Sequence, residues 1–293
     1  MRTQDWIRYT LLCLIWSASF VLIRICAPVL GPALTATGRL GIAGLVLVTY
    51  LRLIGFDAKW REYRGLYLRI GLLASAVPFS CFAIGALQLP ASLLGILNAC
   101  TPLFGAIFAA IWLGEGFGLK RAIGVGLGLI GVTLANGLGN VDLCVSTIIA
   151  ITVTLIAPLC YALSGVFIKL KASHLPSEGI AAWSQLSVAP IVLLGLPFSP
   201  LISTPGPKEI VALLILAVIG SALAYLLFYR LLADIGPTRC TTITFIIPVF
   251  SMAWGALLLD EKITTGMMIG CAILILGTLL VIAPNSSRPH RHP

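Results

Sequence analysis

Runs of about 20 apolar, almost uncharged residues recur along the whole chain, and no other feature constrains its fold as strongly. Each run, as a helix, is long enough to cross a hydrocarbon core of about 30 Å. Lipid offers no water to backbone N–H and C=O groups, so such segments must bond internally as helices. Spans are expected at 7–27, 34–54, 67–87, 91–113, 120–138, 147–168, 178–198, 210–230, 239–259 and 264–283. The fold class that follows is an all-α polytopic membrane protein with ten transmembrane helices, whose short linkers leave no room for a separate soluble domain. Composition excludes the water-soluble alternative. Only 10% of the 293 residues are charged, against about 25% in a soluble domain, and mean hydropathy is +1.06. Arg2 and Arg8 ahead of the first span resemble a signal peptide, but no small-residue cleavage site follows and Arg24 ends the run, so it reads as a true span.

The basic residues set the expected orientation, because Lys and Arg gather in cytoplasmic loops. With the N-terminus inside, Arg2, Arg8, Arg52, Lys59, Arg61, Arg64, Arg69, Lys120, Arg121, Lys169, Lys171, Arg230, Arg239, Arg288 and Arg291 are all cytoplasmic. Only Lys208 and Lys262 fall in outer loops. Both termini are therefore expected on the cytoplasmic side of a bacterial-type inner membrane. The same bias accounts for the net charge of +9 without nucleic acid. Trp6, Tyr9, Tyr50, Trp60, Tyr63 and Tyr67 fall where an interfacial aromatic belt belongs. The eight cysteines lie mostly inside apolar runs and form no CxxC pair, so neither a metal site nor a disulfide framework is indicated, and no cofactor is implied.

The chain also matches itself. Under a shift of 146 residues, Pro102 falls on Pro248, Glu115 on Glu261, Gly124 on Gly270 and Gly131 on Gly277, without a gap. Nearer the N-terminus the offset is 145, pairing Ser19 with Ser164, Arg24 with Lys169 and Trp16 with Tyr161. Each copy holds five spans, and an odd number turns the second copy over in the membrane. The expected organisation is two inverted five-helix repeats, 1–140 and 141–284, followed by a cytoplasmic tail at 285–293. Inverted repeats are characteristic of secondary transporters, with the substrate near the midplane between the halves.

Trp16-Ser17-Ala18-Ser19-Phe20 resembles the "WGsnf" signature of EamA-type transporters of the drug/metabolite transporter superfamily. Arg39 matches the Arg of that family's second helix. Thr101-Pro102, Leu113-Gly114-Glu115, Gly124 and Gly131 resemble its Pro…Leu-Gly-Glu…Gly…Gly pattern, repeated as Pro248, Leu259-Asp260-Glu261, Gly270 and Gly277. The resemblance implies ten helices in two inverted halves, a central cavity lined mainly by helices 1, 3, 4, 6, 8 and 9, and peripheral helices 5 and 10. Within the family the chain is most similar to amino-acid and metabolite exporters, including the YddG-type exporters of aromatic amino acids.

Candidate substrate-binding residues come from mid-span side chains. The aromatics Trp16, Phe79, Phe82, Tyr161, Tyr225 and Trp254 could line an apolar cavity, or simply pack. Ser19, Asn98, Thr101, Ser164, Thr244 and Ser251 supply polar groups at similar depth, although Ser and Thr often bond only their own helix. Pro78, Pro102, Pro158 and Pro248 each remove a backbone hydrogen bond near mid-helix and are hinge candidates. Arg39 is the clear intramembrane charge. It reads either as a counter-charge for a substrate carboxylate or as a structural arginine tied to backbone carbonyls or snorkelling outward. Gly124/Gly128 and Gly266/Gly270 read as close helix packing, with dimerisation the lesser reading, so a monomer or weak homodimer is expected.

No Asp, Glu or His falls at mid-span, which argues against a proton relay and against an intramembrane enzyme. The expected function is a secondary transporter that exports small neutral or zwitterionic metabolites, amino acids by preference, through alternating access without proton coupling. Its partners are the small-molecule substrate and the lipid bilayer. The alternatives are a channel or a sugar-phosphate or nucleotide-sugar exchanger. The latter needs several inward-facing cations, where only Arg39 is available.

Overall fold

The computed structural model describes residues 2–137, 144–236, 240 and 242–282, so the expected tail at 285–293 and the junction of the two halves near 140 lie outside the described residues. Among the described residues the helices form ten rods and no strand. They are α1 (Thr3–Leu30), α2 (Pro32–Leu53), α3 (Trp60–Gly85), α4 (Ala91–Trp112), α5 (Leu119–Gly137), α6 (Val145–Lys171), α7 (Ser177–Leu193), α8 (Pro207–Ala217, Val218–Leu223 and Ala224–Ile235), α9 (Ile243–Leu259) and α10 (Thr265–Ile282). Seven are long and apolar enough to cross a membrane by length and composition; α9, at 17 residues, is shorter. Leu45, Ile111, Ile130, Leu214, Leu257 and Leu276 stand exposed on the outside of the bundle, as lipid-facing side chains must.

Several boundaries differ from the expected ones for local reasons. α3 begins at Trp60, not 67, because Trp60 stacks on Trp183 at 4.5 Å and fixes the first two turns. Tyr67, expected in the aromatic belt, is instead fully buried and donates its hydroxyl to Ala58 O at 2.7 Å. α1 runs past Arg24 to Leu30, tolerating Pro28 in its last turn. Gly31, at φ 78°, turns the chain straight into Pro32 of α2; a side chain there would meet Pro200 O. α7 ends at Leu193, and Leu196–Phe198 forms a separate 3₁₀ turn.

The helix interruptions are paired in an unexpected way. α3 carries a π-helical turn at Leu72–Ala76, and α8 carries one at Val218–Leu223, both starting at equivalent positions under the 146-residue shift. Pro78 follows the first turn, but no proline accompanies the second. α4 breaks at Ala99–Cys100, just before Pro102. Pro158 and Pro248 sit inside unbroken α6 and α9.

Packing pairs the helices across the chain: α2 with α7, α5 with α10, α1 with α8 and α9, α6 with α3 and α4, and the first segment of α4 with α9. α5 and α10 touch mostly each other. Their glycines make this possible, since a Cβ at Gly124 would lie 2.6 Å from Gly277 O, and one at Gly131 would lie 2.6 Å from Gly270 O.

Candidate functional site

The central cluster grows from α2. Arg39 sits seven residues into that helix and is 7% exposed. Its Nε donates to Ser221 Oγ at 2.8 Å, and its guanidinium lies 3.8 Å from the centre of the Phe79 ring. Such stacking offsets part of the loss of hydration. No carboxylate and no backbone carbonyl takes its N–H groups among the described residues, so it is neither a snorkelling arginine nor one tied to backbone carbonyls. The phenols of Tyr161 and Tyr225 lie within reach of its charge. Among the described residues Arg39 is the one buried cation, and Asp5, near the N-terminal end, the one buried acid.

Local backbone explains the Ser221 contact. The π turn of α8 widens the helix there, letting Ser221 Oγ donate to Leu216 O five residues back at 3.4 Å while accepting from Arg39. Aromatic rings extend the wall. Trp16 lies 5.3 Å from Phe228 and 6.3 Å from Tyr225; Phe82 lies 5.2 Å from Phe20 and 6.3 Å from Tyr161. Tyr161 also packs with Phe79 beside α2.

The structure therefore brings together Trp16, Phe79, Phe82, Tyr161, Tyr225 and Arg39 from α1, α2, α3, α6 and α8. Ser19, buried and bonded to Ile15 O at 3.2 Å, abuts Gly220 beside Ser221. Ser164 is buried, and its hydroxyl has no partner among the described residues. The remaining candidates lie along α4 and α9. Asn98, half-buried, ends the first segment of α4, and Thr101 donates to its carbonyl at 2.7 Å. Ser251 is wholly buried against Gly95 and donates to Pro248 O at 2.8 Å. Trp254 Nε1 donates to Ser17 Oγ at 3.2 Å, tying α9 to α1, and Thr244 is half-buried near the start of α9.

Sequence reasoning missed Ser221, Phe20, Phe228 and Gln185. Ser221 and Gln185 carried a signal, because the 146-residue shift maps Ser75 onto Ser221 and Arg39 onto Gln185. Gln185 is fully buried, donates to Ala181 O at 2.9 Å and leaves its Oε1 without a partner.

Away from this cluster, a concavity of about 860 Å³ opens at the end of the bundle opposite the N-terminus. Arg24, Gln88, Lys208, Glu209, Glu261 and Lys262 line it together with Ile25, Pro90, Leu259 and Met267. Arg24 donates to Ala86 O at 2.6 Å. Below it, Ser92 to Leu97 of α4 are fully buried.

Among the described residues, a strand-free bundle of apolar helices with one desolvated cation walled by aromatic rings defines a multi-pass membrane protein built around a polar point at its centre. The chain matches the EamA-like transporter family twice, over residues 7–137 and 148–283, and belongs to that family. It is a membrane transporter, not an enzyme. It is 26% identical over 286 residues to the "Uncharacterized transporter YvbV" of Bacillus subtilis (strain 168), covering 96% of this chain and 92% of that protein. It is 24% identical over 290 residues to a "Probable amino-acid metabolite efflux pump" of Escherichia coli (strain K12), covering 94% of each. A solved crystal structure shares the fold with a TM-score of 0.68 at 17% identity, covering 96% of this chain and 98% of its own.

Proposed function

We propose that this transporter exports small neutral or zwitterionic metabolites, amino acids by preference, by alternating access through a centre bounded by Arg39 and the surrounding aromatics. The observation that carries this reading is Arg39 itself. A cation held away from water is costly without an opposite charge. Among the described residues its partners are one hydroxyl and one ring face. A substrate carboxylate would supply the missing charge, and Phe79, Phe82, Tyr161 and Trp16 would meet an apolar side chain. A single buried cation suits one carboxylate; a nucleotide-sugar diphosphate would need more, so the exchanger reading is the weaker one.

The proposal takes both termini as cytoplasmic, from the basic-residue bias, and the halves 1–140 and 141–284 as inverted repeats. The matched π turns and the reciprocal glycine contacts of α5 and α10 support the repeat. It also takes transport as uncoupled from protons, since among the described residues no buried acid lies near Arg39. Counterflow in proteoliposomes tests the reading, with phenylalanine, leucine and alanine set against their carboxamides. The free amino acids should exchange and the amides should not, and a two-unit pH gradient should drive no accumulation. Equal exchange of acids and amides would overturn the role given to Arg39.

A further inference from the structure

The chain turns back after α4 and after α9 with the same backbone. Gly114 (φ 67°) and Asp260 (φ 53°) both stand in the left-handed region. Glu115 N bonds Ala109 O at 3.2 Å, and Glu261 N bonds Gly255 O at 3.1 Å. Each pair of positions is related by the 146-residue shift, so two identical corners present two identical carboxylates at opposite ends of the bundle.

The carboxylates find different partners. Glu261 reaches the start of α4 and accepts from Ala91 N at 2.6 Å, Ser92 N at 3.0 Å and Ser92 Oγ at 2.7 Å. These amides are among the donors a helix N-terminus leaves unsatisfied, and the helix dipole adds to their hold on an anion. Gly255 lets the carboxylate lie against α9, since a Cβ there would strike Glu261 Oε2. Glu115 caps no helix start among the described residues. It is 40% exposed and pairs with Arg121 at 3.3 Å and Lys169 at 3.6 Å.

The surroundings differ in step. Every residue of α4 from Ala91 to Leu97, beside the Glu261 corner, is buried. Of Thr101–Trp112, beside the Glu115 corner, only Leu103 and Ala106 are. The concavity at the Glu261 end is lined by Pro90 but by none of the residues of this closed layer.

We infer that Glu261 is a gating residue: its bonds to the first amides of α4 hold shut the face opposite the N-terminus, and their release opens the centre to the cavity there. Glu115 stands at the equivalent corner of the other face, where its partners among the described residues are Arg121 and Lys169. Glu261 borders that cavity, so water can take over its hydrogen bonds when the gate parts. The inference rests on the alternating-access reading.

Native cysteines test it without substrate. Cys144 lines the cavity and is exposed, whereas Cys100 is buried just beyond the closed layer. The full-length protein in vesicles is treated with a membrane-impermeant cationic methanethiosulfonate, and each cysteine is read by mass spectrometry. Cys144 modification marks the molecules whose cavity faces the reagent. Glu261→Gln keeps the shape but leaves one acceptor oxygen in place of two. It should raise Cys100 modification about tenfold, the population ratio that about 1.4 kcal/mol represents. Ser92→Ala should raise it less, and Glu115→Gln should not raise it. Cys100 modification within about twofold of the parent in folded Glu261→Gln, or in Ser92→Ala if the former does not fold, overturns the gate. If the parent shows no counterflow of any amino acid, the transport reading fails, while the cysteine result still decides whether Glu261 closes this face.

Discussion

The α5–α10 seam and the two glutamate corners come from the same repeated stretch of sequence, yet among the described residues one is symmetric and the other is not. At the seam, Gly124 faces the Gly277 carbonyl as Gly277 faces that of Gly124, and Gly131 and Gly270 do likewise. At the corners, the equivalent carboxylates have unlike partners among the described residues. If the halves exchange roles as proposed, a contact that reads the same in both is unchanged by the exchange and belongs to the scaffold. A contact that differs between them is one that the exchange of roles would swap. Under the proposed alternating access, the repeat would separate the static parts of the protein from the moving ones.

The largest effect is expected at the seam. A Cβ at Gly131 would press on the Gly270 carbonyl and on Leu274 N, both backbone atoms that cannot swing aside. Gly131→Leu should lower stability by about 3 kcal/mol through overpacking, read as a fall in the unfolding midpoint in detergent. Gly126, on the same helix, has open space at its Cβ position. Gly126→Ala should therefore be neutral or stabilise by up to about 1 kcal/mol. Equal losses at both positions would show that the seam is not the clasp described.

The next effect lies at the centre. Arg39→Gln removes the cation but keeps a donor for Ser221. Amino-acid counterflow should fall roughly a hundredfold, as expected from about 3 kcal/mol for a lost charge-assisted contact. The unfolding midpoint should hold or rise, because an unpaired buried charge disappears. A stable variant that transports at the parental rate would place substrate recognition elsewhere, leaving Arg39 a packing residue.

Much of this was legible in the sequence, and the parts that were not share a cause. Ten helices, the Arg39 charge and the small-residue stripes of α5 and α10 all follow from patterns that survive in one dimension. Proline positions were a poorer guide. Pro158 and Pro248 lie in unbroken helices, whereas the π turn of α8 has no proline at all. That turn, and with it the Ser221 contact, was visible only through the repeat, by carrying the irregularity near Pro78 forward by 146 residues. Phe228 escaped because an apolar ring in an apolar span carries no sequence mark of what it touches, and Phe20 reads only as the end of the Trp16–Phe20 signature. Ser251 shows the converse, a mid-span hydroxyl that is used up by Pro248 O and Gly95.

The smallest expected effect concerns the chemistry of the cavity beside Glu261. Cys144 precedes α6, outside the span, with its sulfur 2.9 Å from Ser146 Oγ and 3.3 Å from Thr147 Oγ1. Hydrogen bonds from Ser146, then Thr147, favour the thiolate and hold the thiol at about 7 in place of the usual value near 9. A depressed pKa means the reactive thiolate is already present at neutral pH and is lost only as the pH falls below about 7. Alkylation of Cys144 by iodoacetamide should thus rise through a midpoint near pH 7. In Ser146→Ala, with one of the two side-chain donors gone, the midpoint should move upward by less than the full distance to 9. This bears on the comparison of the two ends of the bundle, because Cys144 is the marker for the face that Glu261 closes. If its midpoint stays near 9 in the parent, the Ser146 and Thr147 contacts do not form in solution. The start of α6 would then be looser than the Glu261 corner it faces across the cavity.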